Sequence, residues 1–273
     1  MDDRERLQST FDQAAQLYQG ARPEYPEDLF NRLMEVTGLR SGDHVLEVGA
    51  GPGKATLPLA RRGLCITAIE PGPALAAEAR NNLSGYPVEV VEARFEDWAG
   101  PPEAFAAVVA ATAWHWVDPH LRYRSAARAL RPGGYLVVWG AQHVFPVGGD
   151  PFFAELQEVY DAIGETLPKD ARWPAPGELA EQTAEIEASD LFDIVAVDHF
   201  DWTVHYTAET YIDLLRTFSN HIAMAPVDRE QLFTEIRQRV ARRPSRTVRR
   251  GWGADLHIAK KRRQPWRTSR ADL

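Results

Sequence analysis

Cysteine is almost missing from this chain of 273 residues. Cys65 stands alone, which excludes an internal disulfide and fits a reducing compartment. No apolar run approaches the roughly 20 residues needed to cross a bilayer, so no membrane-spanning helix is expected. The opening Met1-Asp2-Asp3-Arg4-Glu5-Arg6 is charged and leads into no apolar stretch, which argues against a secretory signal. The expected compartment is the cytoplasm. The histidines His143, His199, His205, His221 and His257 show no ligand spacing with acids or cysteines, so no metal site is expected. Internal repeats are absent too. What is present is the usage of an ordinary globular chain, 44% hydrophobic and 26% charged, long enough for one large α/β domain or two small ones.

The net charge of −8 conceals an asymmetry. Residues 237–273 carry thirteen Lys or Arg against two Asp, while everything before them is strongly acidic. An acidic body repels nucleic acid, whereas a basic C-terminal segment attracts RNA or an acidic partner. A solvated surface is the simpler reading of Arg237 to Arg250 and of Lys260-Lys261-Arg262-Arg263.

From Gly42 to Gly140 short apolar runs alternate with helix-like segments, the pattern of a parallel α/β sheet. Strands are predicted at His44–Val48, Cys65–Glu70, Val88–Val91, Ala106–Ala111 and Gly134–Trp139. Helices are predicted at Ala55–Arg62, Pro73–Leu83 and Leu121–Leu130. The second half reads as helices over Pro151–Gly164, Glu178–Ala188, Ala208–Asn220 and Asp228–Ala241, with strands at Asp193–Val204 and Gly253–Ala259. These last strands would complete the same sheet. The division expected is a helical N-terminal lid (1–40), a nucleotide-binding core (41–145), a helical cap insertion with the last strands (146–260), and a basic flexible tail (261–273).

The chemistry centres on Glu47-Val48-Gly49-Ala50-Gly51-Pro52-Gly53. Glycines directly after a buried strand let a ligand approach the backbone, and the helix start beyond offers free N–H groups. A dinucleotide fingerprint would be G-x-G-x-x-G; here the spacing is G-x-G-x-G, followed by Lys54. Glu47, two positions before the first glycine, is placed to face an ammonium group, which a methionine moiety has and a nicotinamide dinucleotide lacks. Glu70 ends the second strand, where a carboxylate accepts from two ribose hydroxyls. Gly49, Gly51 and Gly53 between these acids suit an adenosyl amino acid.

At this point the sequence resembles the class I S-adenosylmethionine-dependent methyltransferases. VLEVGAGPGKAT and AIEPGPAL look like their first two motifs, and VEARFEDW like the adenine-binding motif. ATAWHWVDP and LRPGGYLVVWG resemble the segments that follow. Upstream, Tyr18-Gln19-Gly20-Ala21-Arg22-Pro23-Glu24-Tyr25-Pro26 is similar to a segment of the subgroup resembling trans-aconitate and ubiquinone/menaquinone-type methyltransferases. The resemblance implies a Rossmann-like, doubly wound, mostly parallel seven-stranded sheet with a helical cap in the C-terminal half. It implies S-adenosylmethionine as cofactor, S-adenosylhomocysteine as product, a small-molecule acceptor, and a monomer or homodimer. Tyr18 and Arg22 would close over the cofactor. Pro71, Ala111 and Thr112 would lie beside it, and Phe95 and Glu96 would line the adenine. Many relatives have Gly-Asp before this Phe, where this chain has Ala93-Arg94, so one carboxylate tied to adenine is absent.

His115, in Trp114-His115-Trp116, is the candidate general base, since an unperturbed imidazole titrates near ~6.5. Its alternative is a packed aromatic wall. Methyl transfer from a sulfonium also proceeds by alignment alone. Trp114, His115, His143 and His221 are the candidate acceptor-binding residues. Two other readings stand beside small-molecule methylation. One is an RNA methyltransferase using the basic segment, although Ala-Thr-Ala-Trp-His-Trp is not the Asn/Asp-Pro-Pro-aromatic segment that clasps an extruded base. The other is a non-catalytic cofactor-binding regulator.

Overall fold

The computed structural model describes residues 15–165, 173–179 and 182–263. A seven-stranded sheet in the order β3-β2-β1-β4-β5-β7-β6 organises them. β1 (His44–Val48), β2 (Cys65–Glu70), β3 (Val88–Glu92), β4 (Phe105–Ala111) and β5 (Leu130–Val144) run parallel. β7 (Val248–Lys261) inserts antiparallel between β5 and β6 (Phe192–Tyr206). The inner strands are near-continuous apolar runs because both sheet faces are covered; Phe105 to Ala110 are all buried.

The N-terminal helices are α1 (Ala15–Ala21) and α2 (Glu27–Thr37). Between the parallel strands come α3 (Thr56–Arg61), α4 (Pro73–Asn82) and α5 (Arg122–Ala129). Local signals mark several of their ends. α4 has proline in its first turn, and Gly38, at φ +65°, closes α2 by donating to the Met34 carbonyl at 2.9 Å. Leu29, Phe30 and Leu33 of α2 are fully buried against one sheet face with Val45, Leu59 and Trp139. Leu46, Val108, Tyr123 and Leu136 form the core of the other.

A third core belongs to the second half. α6 (Phe152–Ala162) and α7 (Thr183–Ala188) follow β5, while α8 (Ala208–Leu215), α9 (Ser219–Ala223) and α10 (Pro226–Ala241) connect β6 to β7. Phe152, Leu156, Ile212, Leu215, Phe233 and Ile236 pack together and against Trp252 of β7. The cap is therefore drawn from two crossovers and grows directly from the β5–β7 ribbon. α1 bridges the halves, touching α4 on one side and α8 on the other.

Three expectations needed correction. β5 and β7 are much longer than Gly134–Trp139 and Gly253–Ala259, because they pair continuously from Tyr135↔Lys260 to Val144↔Gly251; partner strands, not local composition, set their length. The single helix predicted over Ala208–Asn220 breaks at Phe218, which is extended. The Thr217 hydroxyl donates back to the Leu214 carbonyl at 2.6 Å, the competition that Thr offers a helix. The boundary at residue 261 also moves. Lys261 ends β7 and donates to the Leu130 carbonyl at 2.7 Å, and Arg262 pairs with Asp193 at 2.7 Å. Residues 264–273 of the expected tail lie outside the described residues. Among the described residues, no helix is long and apolar enough to cross a membrane.

Candidate functional site

The strand order reverses between β1 and β4, which pair from Val45↔Ala107 to Glu47↔Val109. Successive connections leave this point in opposite directions, so the loops after β1 and β4 part and open a crevice. A cavity of about 590 Å3 fills it, within the range of small-ligand sites. Gly49, Gly51, Glu70, Pro71, Phe95, Glu96, Ala111, Thr112 and His115 line it, with Tyr18 and Arg22 on its N-terminal side. A smaller space of about 50 Å3 adjoins it, bounded by Glu47, Tyr25, Lys54 and Trp252, and shares Tyr18, Arg22, Gly49, Gly51, Ala111 and Thr112 with the larger one.

The glycine turn is held from both sides. Gly49 and Ala50 donate to the Ile69 carbonyl at 2.9 and 3.1 Å. Gly49 has φ +70°, and a Cβ there would stand 2.5 Å from that of Ala113, so only glycine fits. Gly53, also left-handed, does not line either cavity. It packs against Leu83, whose side chain would lie 3.0 Å from a Cβ added at this position, and so seats the start of α3 on the end of α4.

Glu70 does more than end a strand. Its carboxylate accepts from the Gly51 N–H at 2.8 Å and the Gly72 N–H at 2.9 Å. These bonds lock the carboxylate plane, tie the turns after β1 and β2 together, and are of the stronger, charge-assisted kind. Glu96 is pinned likewise, accepting from the Asp118 N–H at 2.9 Å, which joins the loop after β3 to the loop after β4.

Glu47 differs from both. It is 1% exposed, and neither carboxylate oxygen has a hydrogen-bond partner. Burial pushes its carboxyl up to about 8; the Thr56 hydroxyl opposes the rise, and Glu70 adds to it. A carboxyl without a partner at the wall of a cavity is a site awaiting a cationic donor.

Arg22 crosses from α1 to the cap. It donates through Nε to the Thr217 hydroxyl at 2.8 Å and through Nη2 to the Thr217 carbonyl at 2.9 Å. Its guanidinium lies over the rings of Phe218 (4.1 Å) and Tyr18 (5.1 Å). Thr112, at φ +55°, is an outlier for a β-branched residue. Its amide donates to the Trp139 carbonyl at 2.7 Å, and its hydroxyl meets the Tyr25 hydroxyl at 2.8 Å.

The remaining predicted residues divide. His115 is exposed at the cavity wall, its ring 4.8 Å from that of Trp116. Trp114 turns the other way: it is 2% exposed, packed between Phe95 and Tyr123, and its carbonyl accepts from Arg122. Successive residues of a 3-10 turn point about a third of a turn apart, so Trp114 enters the core while His115 faces outward. His143 and His221 line neither cavity. His143 is enclosed by Phe153 and Trp173, and burial lowers it to about 3. His221 bonds the Tyr160 hydroxyl at 2.8 Å, and burial lowers it to about 4. Trp116, the far end of the Trp114-His115-Trp116 wall, lines the larger cavity, whereas Tyr25 and Trp252 join the site without being sequence candidates. Tyr25 stands in the Tyr-Pro end of the Arg22-Pro23 segment, but Trp252 reaches the site only through the β5–β7 pairing, which leaves no local signal. Cys65 is half-buried, away from both cavities. Among the described residues, no group of His, Cys, Asp and Glu is arranged to hold a metal.

Comparison with known proteins finds methyltransferases. A family profile described as "Methyltransferase domain" matches residues 46–138, from β1 into β5. An uncharacterized methyltransferase of Mycobacterium tuberculosis is 29% identical over 243 residues, covering 89% of this chain and 90% of that protein. An uncharacterized methyltransferase of Bacillus subtilis is 30% identical over 157 residues, 57% of this chain and 68% of the relative. Among solved structures, a protein of Anaeromyxobacter dehalogenans assigned to the type II methyltransferases shares the fold with a TM-score of 0.64, at 22% identity, over 88% of this chain and 97% of that one. A Haemonchus contortus phosphoethanolamine N-methyltransferase, solved with S-adenosylhomocysteine, aligns with a TM-score of 0.53 at 15% identity, over 92% of this chain and 58% of that one.

Proposed function

The chain belongs to the class I S-adenosylmethionine-dependent methyltransferases, and on that premise we propose that it methylates O, N or C of a small organic molecule in the cytoplasm, with the donor in the cavity beside the glycine turn. The observation that carries the reading is Glu47, a buried carboxyl without a hydrogen-bond partner next to a turn built for close backbone approach. The ammonium of a methionyl group supplies the missing partner. Gly49 and Gly51 admit the methionyl chain. Glu70, with its plane already fixed, accepts from the ribose hydroxyls, since a carboxylate has about four acceptor sites. Phe95, Glu96 and Pro71 border the adenine end, while Tyr18 and Arg22 close the other side.

When bound, S-adenosylmethionine supplies a methyl carbon already activated by a sulfonium. This chain has then to exclude water, hold the acceptor atom in line and, where the acceptor carries a proton, remove it. Thr112, Ala111 and the exposed His115 border the space where that alignment occurs. His115 is positioned to take the proton as general base.

The experiment is incubation with labelled S-adenosylmethionine and a small-molecule extract, with identification of the labelled product. Transfer to a small molecule, lost in Glu70→Ala together with affinity for S-adenosylhomocysteine, is the expected result. Unchanged affinity in that variant overturns the binding scheme. Binding without turnover on any extract favours a regulator instead. The RNA reading is weakened at three arginines of the basic segment, which the cap's own acids engage: Arg237 pairs with Glu209, Arg239 with Glu235 and Arg243 with Asp150.

A further inference from the structure

Behind the methyl-donor cavity the cap encloses a second cation, Arg250 of β7. It is 6% exposed, yet no carboxylate pairs with it among the described residues. Its Nε has no hydrogen-bond partner, and its one hydrogen bond runs from Nη1 to the Tyr211 hydroxyl at 3.5 Å. Aromatic rings surround it: Trp252 at 4.5 Å, Phe218 at 5.5 Å and Tyr211 at 5.9 Å from their centroids. Cation–π contacts soften the cost of burying a guanidinium but do not neutralise it. The neighbouring arginines of the same segment fare better. Arg243 pairs with Asp150 at 2.6 Å, and the Arg249 guanidinium donates to the Gly148 carbonyl at 2.9 Å. Arg250 is left out.

Its surroundings adjoin the reaction space. Trp252, the platform under Arg250, also walls the smaller cavity together with Glu47 and Thr112. Phe218 contacts both Arg22 and Arg250, so the second cation stands within the two ring distances of the first. His143 faces Trp252 across the β5–β7 pairing, and its Nε2 has no hydrogen-bond partner. Burial, with the Arg250 charge adding to it, holds both His143 and His221 neutral. Arg250, His143, Phe218 and Tyr211 line neither cavity, but Trp252 does, and around it they gather one forked cation, an unpartnered imidazole nitrogen, a tyrosine hydroxyl and apolar rings.

We propose that Arg250 is the recognition point for the methyl acceptor, which is a small acid presenting a carboxylate to the guanidinium and an aromatic or apolar body to Trp252, Phe218 and Tyr211. A monoanion fits better than a phosphate dianion, because a single guanidinium with neutral helpers balances one charge and bidentate pairing suits a carboxylate. The inference rests on the donor assignment above, since it is the donor cavity that makes the cluster adjoining it through Trp252 an acceptor site.

The test uses the full chain saturated with S-adenosylhomocysteine and calorimetric titration of matched probes: phenylacetate against phenylacetamide, indole-3-acetate against indole-3-acetamide, and phenyl phosphate as the phosphate arm. Carboxylates are expected to bind at least tenfold more tightly than their amides and than phenyl phosphate. Arg250→Met should erase that preference while leaving S-adenosylhomocysteine affinity unchanged. Its melting temperature should hold or rise, because the variant removes an unpaired buried charge; Arg250→Lys, which keeps the charge but loses the fork, should retain part of the preference. Equal binding of acid and amide, no binding of any carboxylate, a preference surviving in Arg250→Met, or a marked loss of melting temperature in that variant overturns the proposal. A wild type that fails to bind S-adenosylhomocysteine defeats the donor assignment instead, and the two failures are read from separate titrations.

Discussion

Glu47 decides how the site responds to pH. With its carboxyl raised to about 8, the ligand-free protein carries a proton there at neutral pH, and a cationic amine must displace it. Affinity for S-adenosylhomocysteine should therefore rise from pH 6 to 8 and then level off. Near pH 7 calorimetry in buffers of different ionisation enthalpy should show a proton released on binding. Glu47→Gln should flatten this profile and weaken binding. The same group acts on stability in the opposite sense. Its folded value lies above the ordinary 4.5, so the folded chain retains a proton that the unfolded chain releases between those values, and stability falls across that window as pH rises. Above pH 8, Glu47→Gln should thus stabilise the ligand-free protein, by a few kcal/mol at most at about 1.4 kcal/mol per pH unit; a denaturant series at pH 6 and pH 9 measures it. His115 gives a separate outcome. If it is the base, His115→Ala lowers turnover by about 100-fold or more and removes an ionisation from the rate profile; near-normal turnover with an unchanged profile leaves alignment alone.

At the scale of elements, the turn after β1 is the most constrained piece of the fold. Gly49→Ala combines a left-handed backbone with a Cβ collision at Ala113. It should cost about 1–3 kcal/mol of stability, read from the denaturation midpoint, and reduce donor affinity in parallel. This turn was legible in the sequence because its determinants are local: β1 and β2 have the bounds their apolar runs predict, and the acids flanking the glycines came with them. The second half was less legible for the same reason inverted. The lengths of β5, β6 and β7 depend on long-range antiparallel pairing, and the break before Phe218 depends on Thr217, whose side chain chose the helix backbone and Arg22 over solvent. Arg250 read as one more member of a solvated basic run; only the closing of Trp252, Phe218 and Tyr211 around it set it apart from Arg243 and Arg249.

For the molecule as a whole, charge separates into an acidic body and a basic segment in sequence, but the fold interleaves the two. Arg32 of α2 pairs with Asp198 of β6 at 2.9 Å, and Arg262 with Asp193. Exposed pairs of this kind add little stability, yet they offset part of the basic charge that a phosphate backbone would meet, while Arg242, Arg246 and Arg249 stay exposed. Filter binding with RNA at low salt should detect no affinity, and a steep salt-dependent affinity would return the basic segment to consideration.

The contact between Arg22 and Thr217 joins the proposed donor and acceptor sites. Arg22 belongs to the segment over the proposed donor cavity, and Thr217 to the corner whose next residue, Phe218, leans on Arg250. Whatever fixes one end of this linkage limits the freedom of the other, and thermodynamics requires the effect to be mutual. The donor product should tighten the acceptor by the same factor that the acceptor tightens the donor product, and Thr217→Val should shrink both factors together. Such an enzyme would hold its acid loosely until the donor is in place, a rule of sequence in binding written into one arginine and one corner of the cap.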